Sequence, residues 1–201
     1  MDSATAKTGP LAYLSLGVAL VAVGLFHAGF FEFGTLPPII ALVAGTSLLL
    51  AATVEARSGQ RIEFGAFGLF GMFWISQAAI WAFDLLDVEP PLDRQYVAWY
   101  LGLWSVVGGA LLAAHRRRGF VVQVVLALIT VWFVLNAAAE FTGGPIVTQM
   151  AGFEGLISGL LSMYLGAALL INEAAMREVL PLGEPRHSKI IIPDDISQLF
   201  D

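Results

Sequence analysis

The sequence predicts an all-α membrane protein with six transmembrane helices, and three observations support this fold class. Apolar side chains make up 58% of the 201 residues, charged side chains make up only 13%, and the mean hydropathy is +0.79. About a quarter of the residues of a soluble domain are charged, so lipid must cover part of this apolar surface. The apolar residues form six runs of about 20, the length that crosses a bilayer core. Nine of the ten basic residues flank these runs on one side.

The boundaries of the spans follow from the residues that interrupt the apolar runs. We predict helices over residues 10–31, 37–55, 64–83, 95–114, 120–140 and 149–171. Glycine, proline and the polar stretch 57–61 lie between them and favour turns. Pro10, Pro37 and Pro145 are expected to begin helices, because a missing N–H costs no hydrogen bond there. The first run is longer than the core of a signal peptide and lacks a cleavage site, so we keep it as a span.

The basic residues predict the orientation of the spans. The two termini, the second loop and the fourth loop carry Lys7, Arg57, Arg61, Arg116, Arg117, Arg118, Arg177, Arg186 and Lys189. The other three loops carry only Arg94. Because basic loops stay in the cytoplasm, we expect residues 1–9 to be a cytoplasmic N-terminus, 10–172 the transmembrane domain and 173–201 a cytoplasmic tail.

Charge and composition exclude several classes of function. The formal net charge of −6 argues against a nucleic-acid partner, and the absence of cysteine excludes disulfides and thiolate chemistry. No nucleophile with a base and no set of metal ligands stands out, so we predict no catalytic residue, no metal, no cofactor and no enzyme. The loops with few basic residues are acidic, and they carry or adjoin Glu32, Asp84, Asp87, Glu89, Asp93 and Glu140.

Matches at an offset of 86–87 residues predict an internal repeat. Residues 13–16 match 100–103, and Gly65 and Gly68 fall on Gly152 and Gly155. Three spans per half make the second half inverted, and an inverted three-plus-three repeat is an architecture of transporters and channels. Close helix contacts are expected at the small residues Gly65, Gly68, Gly71, Gly152, Gly155 and Gly159.

Five segments in order carry a family resemblance: FHAGFF at 26–31, FGMFW at 70–74, YLGLW at 100–104, QVV at 123–125 and VLPLGE at 179–184. With them the chain resembles the acetate uptake transporter family over residues 9–185. The resemblance implies a pore through each six-helix protomer, a homohexamer in the inner or plasma membrane, and passage of acetate or other small carboxylates such as succinate. In some members this passage is coupled to protons.

The resemblance also implies where the pore narrows. Three bulky side chains form the constriction in the family, and their positions correspond here to Leu16, Phe70 and Trp132. The tyrosine usual in the family is Phe70, so this constriction lacks a hydroxyl. The family motif Asn-Pro-Ala-Pro-Leu-Gly-Leu appears at 7–13 as KTGPLAY.

Polar residues inside the spans are the candidates for the substrate path, because no lysine or arginine lies within a span. Hydroxyls and amides must therefore meet the solute, and they must do so without binding it too tightly. The path residues that we predict are Ser15, Gln77, Gln123, Thr130, Asn136, Glu154, Ser158 and Tyr164. For proton coupling we single out His27, near the end of the first span, and Glu154, about five residues into the sixth.

Three functions compete at this point. The first is a permease or channel for small monocarboxylates. The second is passage of ammonium, ammonia or a small neutral solute, which the acidic loops and the apolar constriction favour. The third is a membrane scaffold or sensor without transport that signals through residues 184–201.

Overall fold

The computed structural model of the protein describes residues 8–32, 34–89 and 92–183. Lys7, Arg186, Lys189 and the tail from 184 onward lie outside these ranges. Six helices follow one another, and each is long and apolar enough to span a membrane. They are α1 (Gly9–His27), α2 (Leu36–Arg57), α3 (Arg61–Leu85), α4 (Arg94–Ala114), α5 (Phe120–Thr142) and α6 (Pro145–Ala175). The predicted all-helical, six-span fold class is confirmed.

Local features of the sequence explain where several of the helices begin and end. Proline lies in the first turn of α1, α2 and α6, where it needs no hydrogen-bond partner. The Asp93 carboxylate caps α4 by accepting the Gln95 backbone N–H at 2.8 Å. Gly143 ends α5 with a φ of +63°, a left-handed conformation that glycine adopts without strain.

Three boundaries differ from the prediction by four residues, and one of them is the end of α6, which lies at Ala175 rather than at 171. Helix α1 ends at His27 rather than at residue 31, and Gly29 follows with a φ of +85°, which a helix cannot continue through. Helix α6 begins at Pro145 rather than at 149, because the polar first turn still forms helix. Glu154 therefore lies nine residues into α6, about 14 Å from its start, and not five residues in.

The helices pack in the order of the chain and close through the first and the last. Helix α1 packs against α2 and α6, α2 against α3, and α4 and α6 against α5. Helices α3 and α4 barely touch through their backbones and meet through large rings, such as Phe73 against Trp104 at 5.3 Å between centroids. The neighbours within each half follow the same order, and the inverted relation of the halves stays a prediction.

Both described ends of the chain lie at one end of the bundle. Gly166 of α6 packs against Pro10 and Leu14 of α1, so the end of α6 and the start of α1 are adjacent. We call this end the terminal face, formed by residue 8, residues 57–61, 114–119 and 176–183. The other end is the opposite face, formed by the described residues among 28–35 and 86–93 together with 143–144.

Glycines bring α1 and α6 into backbone contact. A Cβ atom on Gly152 would lie 2.2 Å from the Ala28 backbone nitrogen, and one on Gly159 would lie 2.7 Å from the Val21 nitrogen. Gly155 is equally crowded, because its Cβ would lie 2.8 Å from Nε1 of Trp132. The predicted close contact along these three glycines of α6 is confirmed.

The same prediction holds in α3 for only one of three glycines. A Cβ on Gly71 would lie 2.9 Å from the Leu49 side chain and 3.0 Å from the Gly45 carbonyl of α2. Gly65 has nothing within 4 Å of such an atom, and Gly68 meets only Ala52 at 3.9 Å. The prediction is wrong for Gly65 and Gly68 because α2 and α3 are less close at that level than at Gly71.

A short strap, residues 177–183, folds back from α6 onto α5. Asn172 fixes it, since its Oδ1 accepts the N–H groups of Val179 and Leu180 at 2.7 and 2.8 Å. The carbonyls of Gly183 and Leu182 then accept the backbone N–H groups of Phe120 and Val121 at 2.9 and 3.3 Å. Helix α5 therefore has its first free N–H groups satisfied by the strap.

We predict that Gly152→Ala destabilises the protein and that Gly65→Ala does not. The new methyl group at 152 must displace the backbone of α1, at a cost of about 1–3 kcal/mol. At 65 the space is open, and alanine favours the helix by about 1 kcal/mol. Thermal unfolding of both purified variants in detergent checks this. A Tm for Gly152→Ala equal to that of the unsubstituted protein would contradict the backbone contact.

Candidate functional site

The three residues predicted to form the constriction lie inside the protomer. Leu16 of α1, Phe70 of α3 and Trp132 of α5 are 2%, 3% and 2% exposed, and they belong to one continuous cluster of buried side chains. A pore wide enough for water would expose them. The centre of the protomer is therefore closed at their level in this conformation.

Aromatic rings surround this point from three helices. Trp132 lies 5.8 Å from Trp74 and 6.0 Å from Phe73 between ring centroids, and Phe70 stacks on Phe133 at 6.4 Å. Tyr100 and Trp104 of α4 pack against Phe73. We call this group of seven rings, with Leu16, the aromatic layer: Phe70, Phe73, Trp74, Tyr100, Trp104, Trp132 and Phe133. Edge and offset contacts of this kind are favourable beyond the area that they bury.

Several predicted polar residues lie at the aromatic layer or just beyond it toward the opposite face. Gln77 is three residues past Trp74 on α3, and Asn136 is four residues past Trp132 on α5, distances of about 5 and 6 Å along the helices. Glu154 lies next to Gly155, the residue that Trp132 touches, and accepts a hydrogen bond from Ser158 at 2.6 Å. Three helices, α3, α5 and α6, thus place polar side chains near one level.

Hydrogen-bonding capacity is left over at this level. Gln77 Oε1, Trp132 Nε1 and Glu154 Oε2 are buried and have no hydrogen-bond partner among the described residues. The same is true of Nδ1 of His27, nearer the opposite face. Buried polar atoms in proteins are nearly always paired. These two acceptors, one donor and one imidazole nitrogen are therefore the groups free to meet a solute or water.

Four predicted path residues lie elsewhere and make other contacts. Ser15 lines a groove of about 300 Å³ between α1 and α2 that is otherwise apolar, on the outside of the protomer. Thr130 donates to the Leu126 carbonyl of its own helix at 2.7 Å, and Gln123 donates to the Arg118 carbonyl at 2.8 Å. The hydroxyl of Tyr164 donates to the Pro181 carbonyl at 2.8 Å and holds the strap. None of these contacts belongs to the aromatic layer.

A polar cavity of about 560 Å³ opens at the terminal face, and the sequence did not predict it. Tyr13 and Phe67 form its inner end with an edge-to-face contact at 5.5 Å. Each lies three residues before a constriction residue, Leu16 and Phe70, so the cavity ends about one helical turn from the aromatic layer. Its charged and imidazole groups are Glu55, Glu63, His115, Arg118 and Glu173.

Two glutamates make contacts that shape the wall of this cavity. Glu55 accepts hydrogen bonds from the backbone N–H and the hydroxyl of Thr8, which fixes the start of α1 against the end of α2. Arg118 forms an ion pair with Glu63 of α3 through Nη2. Residues from four segments far apart in the chain, 9–13, 55–67, 115–122 and 169–173, meet here. The only sequence signal for Arg118 is its place in a basic loop.

The opposite face also carries an ion pair. Arg94, the lone basic residue of those loops, contacts Glu140 at 3.1 Å between Nε and Oε2. Glu32, Asp84, Asp87, Glu89 and Asp93 have no ion pair among the described residues. The acidic character that the sequence predicts for these loops is therefore only partly neutralised.

The fold and the site define a solute channel or permease of the membrane. Six helices span the membrane, the aromatic layer closes their centre, and polar groups lie on both sides of that layer. The sequence profile of the GPR1/FUN34/yaaH family matches residues 1–182. The chain belongs to this family.

Several relatives are similar over most of the chain. The succinate-acetate/proton symporter SatP of Escherichia coli is 29% identical over 180 residues, covering 89% of this chain and 96% of that protein. The acetate transporter protein patA of Aspergillus clavatus is 29% identical over 70% of this chain and 62% of its own length. An uncharacterised protein of Methanothermobacter thermautotrophicus is 32% identical over 88% of this chain and 91% of its own.

A solved structure shares the fold. The bacterial acetate channel SatP superposes with a TM-score of 0.85 at 28% sequence identity, over 89% of this chain and 99% of that one. The family resemblance that the five sequence segments indicate is confirmed.

We predict that Gln77→Leu keeps or raises the stability of the protein, whereas Gln123→Leu lowers it. The Gln77 side chain is buried without a partner among the described residues, and an apolar replacement of such a group is neutral or stabilising. Gln123 caps a loop carbonyl, and losing that bond costs about 1 kcal/mol. Thermal unfolding of the two variants decides. A larger loss of Tm for Gln77→Leu would mean that this amide is structural.

Proposed function

We propose that this protein is a channel or permease for acetate and other small monocarboxylates. The superposition on an acetate channel over nearly the whole of that chain carries the proposal, and the similarity to the symporter SatP and the acetate transporter patA supports it. Succinate is a further candidate substrate, because it appears in the name of the Escherichia coli relative. An enzymatic activity is not part of the proposal.

The path that we propose runs through the protomer. A carboxylate enters the cavity at the terminal face, passes the aromatic layer at Leu16, Phe70 and Trp132, and meets Gln77, Asn136, Glu154 and Ser158 beyond it. Transport through such a path requires a transient opening of the aromatic layer. An apolar constriction also excludes hydrated ions by dewetting when it is closed.

Proton coupling is supported by the positions of Glu154 and His27. An ionised carboxylate near the middle of a span costs about 2.5–3.5 kcal/mol on insertion scales. Ser158 supplies Glu154 with one hydrogen bond, and the other oxygen is unpaired among the described residues. We infer that Glu154 takes up a proton or faces water during transport, with His27 as the second proton carrier.

We also propose the membrane, the orientation and the oligomeric state of the protein. The distribution of basic residues supports a terminal face in the cytoplasm, with the chain in the inner or plasma membrane. Exposed apolar side chains on α2 and α4, such as Val43, Leu103 and Val106, support contact with lipid and with further copies of the chain. We propose a homo-oligomer, a hexamer by the family resemblance.

A second candidate is passage of a cation such as ammonium, or of a small neutral solute. The unpaired carboxylates at the opposite face favour it, because they raise the local concentration of cations and lower that of anions. Bilayer recordings under an ammonium acetate gradient separate a conducted cation from a conducted anion, since the sign of the reversal potential reports which ion carries current. A neutral solute, or acetate accompanied by a proton, carries no net current and is measured by uptake of the labelled solute. No contact of the described residues favours a scaffold or a sensor.

Purified protein in liposomes is expected to take up labelled acetate faster than protein-free vesicles at both pH 5 and pH 7. If protons accompany acetate, the uptake that remains after subtraction of the protein-free vesicles is faster at pH 5 at a fixed acetate anion concentration. Vesicles that contain the Gly65→Ala protein are the control for insertion of a variant into the bilayer, because this substitution lies away from the proposed path. Uptake equal to that of empty vesicles at both pH values would overturn the proposal.

A further inference from the structure

The wall of the cavity at the terminal face contains an arginine with unused donors. One terminal nitrogen of Arg118, Nη2, donates a hydrogen bond to Oε1 of Glu63. A guanidinium has five N–H donors, and neither Nε nor Nη1 of Arg118 has an acceptor among the described residues. The side chain is 46% exposed and lines the cavity, so these donors are accessible from the solvent.

We propose that Arg118 binds the carboxylate group of the solute at the terminal face, and that Glu63 is its built-in competitor. The proposal rests on the proposed function for the class of ligand. A carboxylate matches the planar fork of a guanidinium with two parallel hydrogen bonds. A volume of about 560 Å³ holds a small carboxylate with its water, since one water occupies about 30 Å³.

Glu63 adjusts the affinity of this site. A conducting path must bind its solute, but weakly enough to release it. A free arginine beside an apolar constriction would retain an anion, whereas one already paired with a carboxylate exchanges one partner for another. Glu63 has no other ion-pair partner among the described residues, and its second oxygen, Oε2, is buried without a hydrogen bond. A carboxylate solute must therefore compete with this ion pair for Arg118, which weakens its binding.

The other charged groups around the cavity do not take this role. Glu55 is held by Thr8, and the Nδ1 of His115 contacts the Leu111 carbonyl at 2.8 Å. Glu173 on α6 and the hydroxyl-bearing Tyr13 on α1 also line the cavity. Within the part of the chain that the structure describes, Arg118 is the only arginine or lysine in this lining. Its neighbours Arg116 and Arg117 are exposed in the same loop and do not line the cavity.

The alternative is that Arg118 is only one of three basic residues that orient the protein in the membrane. Arg117 provides the matched control, because it has the same charge in the same loop without access to the cavity. If membrane orientation were the whole role of Arg118, Arg117→Gln and Arg118→Gln would behave alike.

Thermal shifts of the purified oligomer test the binding without transport. The Tm is measured in sodium acetate and in sodium chloride at equal ionic strength, over a concentration series at pH 7, because a ligand that binds the folded state raises the Tm. We expect a shift specific to acetate in the unsubstituted protein and in Arg117→Gln. Glu63→Gln should lower the half-saturating acetate concentration severalfold. Arg118→Gln should raise it by about tenfold or abolish the shift, as expected for a lost charged hydrogen bond.

The double variant decides whether Glu63 acts through Arg118. With Arg118→Gln present, Glu63→Gln should give no gain in acetate affinity, and Arg118→Lys should lie between the unsubstituted protein and Arg118→Gln. An acetate shift in Arg118→Gln equal to that in Arg117→Gln would overturn the proposal. So would a gain from Glu63→Gln that persists without Arg118, or the absence of any acetate shift in Glu63→Gln.

Failure of this inference and failure of the proposed function give different results. Acetate uptake that proceeds with an acetate shift independent of Arg118 leaves the transport function and removes the site. An acetate shift that depends on Arg118 in a protein without uptake leaves the site and removes the transport function.

Discussion

Backbone contact between the first and the last helix holds the bundle closed. Gly152 and Gly159 leave no room for a side chain against the α1 backbone, and Gly155 leaves none against Trp132 of α5, so α1 and α6 approach as closely as their backbones allow. In a bilayer, packing of this kind replaces the hydrophobic driving force, because lipid is as apolar as the side chains. The contact places both described ends of the chain at one face. It also leaves, beside Gly155, the space that the Trp132 indole occupies.

The position of Trp132 links packing to function. A bulky ring near the middle of the membrane closes the protomer, and its N–H is buried without a partner among the described residues. The aromatic layer is therefore tightly packed but not fully satisfied in its hydrogen bonds. Glu154, with one free oxygen beside it, adds to this imbalance. Contacts between the rings stabilise the closed state of the aromatic layer. The unpaired polar groups at the same level stay available to bind a polar solute.

The sequence predicts the spans well because hydropathy and helix breakers act locally. The start of α6 is missed by four residues because a polar first turn, residues 145–148, reads as a loop in a hydropathy pattern although Pro145 begins the helix. Gly65 and Gly152 look alike in sequence, and only the distance to a neighbouring helix separates them. The cavity at the terminal face is not predictable from any single segment, since Tyr13, Glu55, Glu63, Arg118 and Glu173 meet there only after the helices have packed. Ser15 lies in the outer groove and Tyr164 contacts the strap, because the face of a helix that points inward depends on its neighbours.

We propose that solute passes the aromatic layer inside each protomer. Because the chain contains no cysteine, a single introduced thiol tests this path directly. Leu16→Cys places a single thiol in the layer, and Val18→Cys places one on the outer groove of the same helix. A charged, membrane-impermeant thiol reagent is added during acetate uptake, because it reacts only with a thiolate that water reaches. We expect the reagent to block uptake by Leu16→Cys and to leave uptake by Val18→Cys unchanged. Equal sensitivity of the two variants, or block at Val18→Cys alone, would contradict a path through the protomer.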